Sequence, residues 1–62
     1  MQVSDIYKVI DDDTKFVIIF ENHGFSERVM GDDWNTLPQH VLDWRVLNIS
    51  VGCKGTLFIE CE

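Results

Sequence analysis

WNTLPQHVLDW, residues Trp34 to Trp44, decides how the chain is divided. It holds both tryptophans and the only proline. Thr36 followed by Gln39 has the spacing of a capping box, and Pro38 falls in the first helical turn, where a missing N–H does no harm. Leu37, Val41 and Trp44 share one helical face, with Leu42 beside them. The spacing predicts a short helix from Leu37 to about Asp43. On each side lies a pair of strand-like runs, so the segment is expected to join two hairpins.

The C-terminal pair has the clearer register. Leu47, Ile49 and Val51 alternate with more polar residues, as do Leu57, Ile59 and Cys61. A three-residue loop, Cys53-Lys54-Gly55, sets Val51 opposite Leu57, Ile49 opposite Ile59 and Leu47 opposite Cys61. That gives one apolar face, whereas a one-residue slip would turn every side chain over. Gly55 would supply the left-handed residue of the loop.

The N-terminal pair begins with FVIIF, Phe16 to Phe20, the most apolar run of the chain. It is too short for an ordinary helix and reads as a strand with apolar residues on both faces. Asn22-His23-Gly24 signals a turn. With all three residues in the loop, Ile19 faces Glu27, Val17 faces Val29 and Ile18 faces Arg28. Before this hairpin, Val3, Ile6, Tyr7 and Ile10 form one helical face. Ser4 is the expected cap of a helix from Ser4 to Ile10. An edge strand over residues 4–10 is the alternative, because Ile6, Tyr7, Val9 and Ile10 suit strands.

The order α-β-β-α-β-β implies a small α+β domain, residues 1–62. Its sheet is expected to be four-stranded and mainly antiparallel, with both helices on one face. The second face would be left bare. The residues expected there are Phe16, Ile18 and Phe20, or their opposites, with Phe58. A bare apolar face of this kind marks an interface, so a homo-oligomer, a dimer or larger, or a tight hetero-partner is expected.

Eleven acidic against five basic residues give a formal charge of −6 on 62 residues. Such a surface is repelled by nucleic acid and by anionic lipid, and it suits a basic protein partner. Asp11, Asp12 and Asp13 stand in one turn, Asp32 and Asp33 in another, and Glu60 and Glu62 close the chain. With Trp34 as an anchor, these are the candidate partner-binding residues. The acidic turns lack the spacing of a calcium loop. His23, His40, Cys53 and Cys61 form no pair with zinc-ligand spacing. Cys61 is expected to be a small buried apolar residue and Cys53 an exposed loop thiol. No glycine-flanked nucleophile and no phosphate-cradling loop is present, so neither catalysis nor a cofactor is expected. No apolar run approaches the length of a membrane span, and two cysteines make no disulfide framework, which points to the cytoplasm.

The succession SDIYKVIDDDTK, an apolar strand, L-P-x-x-V-L-D, then VLNISV and a final strand ending in acidic residues resembles short acidic proteins of phages and mobile elements of Gram-positive bacteria. The resemblance covers nearly the whole chain as a pattern of hydrophobicity and turns. It implies a small accessory protein that counters host defence, and it carries no catalytic residues to transfer. The expected function is therefore non-enzymatic binding of a host protein, one that handles nucleic acid or serves in defence, through the acidic surface. In the host cell that would place it in the cytosol. Two alternatives stand beside it. One is an oligomeric sponge holding a small nucleotide signal between subunits through Arg28, Arg45 and Lys54. The other is a structural subunit that assembles only with itself.

Overall fold

The computed structural model of the chain describes residues 1–11 and 14–62, with Cys53 described by its backbone. Helix α1 spans Val3–Tyr7, and strands β1 and β2 span Phe16–Asn22 and Phe25–Gly31. A 3₁₀ turn, Trp34–Thr36, leads into helix α2, Gln39–Leu42. Strands β3 and β4 span Val46–Val51 and Leu57–Cys61. The sheet order is β2-β1-β4-β3. Both hairpins are antiparallel, and the two central strands, β1 and β4, run parallel. The class is the small α+β fold that the order of elements implied. Because the hairpins meet through β1 and β4, the segment from Asp32 to Arg45 must pass from one edge of the sheet to the other. It does so across one face, and that face becomes the core.

The first hairpin corrects the sequence expectation by one residue. Its loop is His23-Gly24 alone, with φ of +50° and +84°. Positive φ at both central residues is what a type I′ turn requires, and that turn matches the twist of its strands. Ile18 therefore faces Val29, and Ile19 faces Arg28. The physical reason lies in burial. The longer loop would have set Arg28 beside Ile18, on the face where Ile18 is fully buried. The two-residue loop sends the guanidinium to solvent and Val29 to the core.

The second hairpin follows expectation at its loop end. Val51 faces Leu57, Ile49 faces Ile59, and Gly52 N–H donates to the Thr56 carbonyl at 2.8 Å. The loop is thus Cys53-Lys54-Gly55, with Gly55 at φ +76° and Lys54 also left-handed at +62°. At the other end the register departs. A bulge between Val46 and Asn48 puts Val46, not Leu47, opposite Cys61. A bulge adds one residue to one strand, and the parity of every residue before it changes. Leu47 is left exposed.

Helix α1 is shorter and earlier than expected. Gln2, rather than Ser4, caps it, and the Asp5 carboxylate accepts from the Gln2 N–H at 2.9 Å. The expected face holds: Val3 and Ile6 are buried, with Tyr7 and Ile10 packed at the rim. The chain just before the helix pairs with the entrance to β3. Val46 N–H donates to the Met1 carbonyl at 2.8 Å, and Val3 N–H to the Trp44 carbonyl at 3.0 Å. This pairing closes one end of an edge strand that would otherwise offer free backbone groups.

The central helix also starts late. Pro38 has φ −69° and ψ 158°, and Leu37 before it has ψ 128°. A residue preceding proline is pushed out of the helical region, so Leu37 cannot begin a helix. The stretch breaks into a 3₁₀ turn and one turn of α-helix. Pro38, not Thr36, stands at the N-cap of α2, and Asp33 caps the 3₁₀ turn before it, its carboxylate accepting from the Asn35 N–H at 3.0 Å. The Thr36 hydroxyl donates to the Asp33 carbonyl instead.

The core lies between the sheet and this covering layer. Phe16, Ile18, Ile59 and Cys61 come from the strands; Val3, Ile6, Trp34, Leu37 and Val41 come from the cover. The Trp34 and Phe16 rings lie 4.5 Å apart, and Trp44 stacks on Phe20 at 4.6 Å. Trp44 is half-buried, with His40 edge-on to it. The cover stops short of β3. Ile49 and Val51 point to the covered side by register, yet Val51 is 74% exposed.

Candidate functional site

Two features stand out: an acidic end and the bare face of the sheet. The acidic end forms where β1 begins and β2 finishes, at the pair Phe16–Gly31. Asp32 and Asp33 follow β2 directly, and both are exposed. Asp11 is exposed in the turn before β1, where its carbonyl accepts from the Thr14 N–H at 3.1 Å. The two acidic turns are tied by Trp34, whose indole N–H donates to the Thr14 carbonyl at 2.8 Å. A buried indole needs such a partner, and here the partner is the backbone of the first acidic loop. Asp12 and Asp13 lie outside the described residues.

Trp34 was expected to anchor a partner. It is fully buried against Phe16 and Tyr7, so it serves the core and the joining of the two turns instead. Glu60 and Glu62 are not gathered with the aspartates. Glu60 lies on the bare face beside Ile19, and Glu62 at the far end of β4 pairs with the Arg45 guanidinium. Asp33 also has a structural duty as a cap, which leaves Asp11 and Asp32 as the freer carboxylates.

The bare face carries Val17 and Ile19 of β1, Arg28 and Met30 of β2, and Phe58 and Glu60 of β4. This corrects the interface expectation. Phe16 and Ile18 are buried under the helical cover, and Phe20 lies beneath Trp44. Phe58 is on the bare face as expected, 38% exposed, and Met30 is 61% exposed. The sequence showed that FVIIF had apolar residues on both faces but not which set the cover would claim. Arg28 held the missing signal: it had to face solvent, and its cross-strand partner is Ile19.

The three cations of the alternative nucleotide site are not brought together. Arg28 lies in the middle of β2, Arg45 at the entrance to β3 and Lys54 in the loop at the opposite end of β3. Arg45 borders an open depression of about 700 Å³ beside the β1–β2 turn, lined also by Glu21 and Glu62. Two carboxylates make it a poor phosphate seat. Among the described residues no three acidic, histidine or cysteine side chains converge as metal ligands, and no helix is long and apolar enough to cross a membrane. Cys61 is buried as expected and is a free thiol, and burial pushes its pKa up to about 11. The side chain of Cys53 lies outside the described residues. No protein-family model, curated protein or solved structure matches the chain.

Proposed function

We propose that the chain is a non-enzymatic binding protein whose acidic end engages a basic protein partner in the cytoplasm. The observation that carries this is the hydrogen bond from Trp34 to Thr14, which holds two acidic turns at one end of the sheet. The only basic side chain between those turns and β1 is Lys15. A groove that accepts phosphates also accepts carboxylates, so proteins that handle nucleic acid are the partners with the matching charge. The resemblance to phage and mobile-element proteins points the same way, toward a host defence or nucleic-acid enzyme as the target. The free Cys61 thiol fits a reducing compartment.

The test uses an arginine-rich peptide as the probe. Binding at low salt should weaken steeply as salt is added. Asp11→Asn with Asp32→Asn should weaken it about tenfold, because both charges sit at the proposed surface. Glu21→Gln with Glu60→Gln removes the same charge elsewhere and should have a much smaller effect. Equal effects of the two pairs would show that only net charge matters and would overturn the proposal.

A further inference from the structure

The bare face of the sheet has a pattern that selects its occupant. Two central rows of side chains cross β2, β1 and β4, with Glu21 and Ser26 beyond them at the end of β1 and the polar Asn48 and Ser50 on β3. One is Met30, Val17 and Phe58; the other is Arg28, Ile19 and Glu60. The centre of each row, on β1, is aliphatic. In the second row a cation lies on one side of that centre and an anion on the other. Arg28 and Glu60 are separated by two strand spacings, about 9.6 Å, so they flank Ile19 rather than neutralise each other.

We infer that this face is the interface of a symmetric homodimer, related by a twofold axis that lies between the two sheets and runs along β1. Three axes that keep the strands aligned can be compared, because a twofold interface must be complementary to itself. An axis across the strands through the second row sets Arg28 over Arg28 and Glu60 over Glu60. An axis along the strands between β1 and β4 presses Ile19 against Glu60. The axis along β1 sets Arg28 over the partner copy's anion and Met30 over its aromatic ring, while Val17 and Ile19 each meet their own counterparts. Of the three, only this last arrangement pairs Arg28 with Glu60 and keeps the aliphatic centre on itself; its one like-charge contact is Glu21 against its own counterpart, at the exposed end of β1.

In this arrangement β2, β1 and β4 overlap and β3 does not, so the shared face is about 14 by 20 Å, smaller than a standard interface, and the dimer should be a weak one that dissociates at tens of micromolar. An axis along β1 leaves the direction of the strands unchanged. Both acidic ends of the dimer then point the same way. The dimer itself does not depend on the binding role proposed for those ends.

Sedimentation from about 1 to about 100 µM is the experiment, since a dimer of this size should dissociate within that range. The unmodified chain is expected to shift from monomer to dimer. Arg28→Glu and Glu60→Arg should each weaken association at least about tenfold by placing like charges in contact. The two changes together should restore it. Arg28 and Glu60 are exposed in the single chain, so circular dichroism should show all three variants folded. A monomer throughout the range overturns the inference. So does a dimer indifferent to both single reversals, or a double variant that stays monomeric.

Discussion

The two faces of the sheet are built from the same five residues of β1, and they have opposite fates. Phe16 and Ile18 point into the core; Val17 and Ile19 point to the bare side. The composition of the two sets is nearly equal. What separates them is the crossing segment, which covers one face because the hairpins join through β1 and β4. The sheet is therefore asymmetric in its energetics although its central strand is not. Burial of a full side chain contributes roughly 1.5–3 kcal/mol, and only the covered face receives it in the single chain.

The sharpest way to break the comparison is to delete matching groups on each side. Ile18→Ala empties a fully buried site next to Ile59 and Val29. It should cost about 3 kcal/mol, a transfer loss plus a cavity. A 62-residue chain has roughly 3–9 kcal/mol in total, so this variant should lose between about a third and all of its stability. Val17→Ala, one residue away on a half-covered site, should cost under about 1 kcal/mol. Urea denaturation of both variants at a monomeric concentration reads the difference directly. Equal losses would mean that the bare face is packed as the covered one is.

The covered face should also reveal itself through pH. Cys61 is 2% exposed on that face, and burial raises its thiol from the ordinary 9.0 to about 11. The unfolded chain loses this proton first, so between about pH 9 and 11 it binds fewer protons than the folded chain. Stability is full below pH 9 and falls as pH rises through 11, by on the order of 2 kcal/mol. Denaturation curves of the native chain and of Cys61→Ala, taken across that range, isolate the effect. Lysine and tyrosine titrate in both proteins, and only the difference between them belongs to Cys61. A difference that stays constant with pH would show that the thiolate is solvated in the folded state.

Where the sequence succeeded and where it failed follows the same division. Side-chain alternation placed Ile49, Val51, Leu57 and Ile59 in register because it is local and has period two. The face of α1 was legible for the same reason, at period 3.6. The acidic surface was legible from composition, though not that Trp34 ties its two halves together. That bond spans twenty residues, and nothing in local pattern reports it. The facing of β2 was missed for a smaller reason. His23 adopts a positive φ, so the turn has two residues instead of three, and that one residue turns the side chains of β2 over against β1. The bulge at Leu47 is the remaining failure. It lies where β3 leaves the crossing segment and pairs with Met1, so its cause is tertiary.

The smallest effect concerns the one aromatic ring on the bare face. A Cβ added at Gly52 would stand 2.1 Å and 2.7 Å from two carbons of the Phe58 ring. Gly52 thus leaves room for the ring to lie against its backbone. Phe58 is partly exposed, so the ring has somewhere to go. Gly52→Ala should therefore force it outward at a cost of only about 1 kcal/mol, against the several expected from overpacking a closed core. Replacing glycine also lowers the entropy of the unfolded chain, which favours folding by roughly 0.5–1 kcal/mol once no clash opposes it. In a Phe58→Ala background, Gly52→Ala should then be neutral or stabilising, and the cycle should show coupling of about 1 kcal/mol. Coupling near zero would mean that the ring already stands away from Gly52, and that the bare face is looser at β3 than at β1.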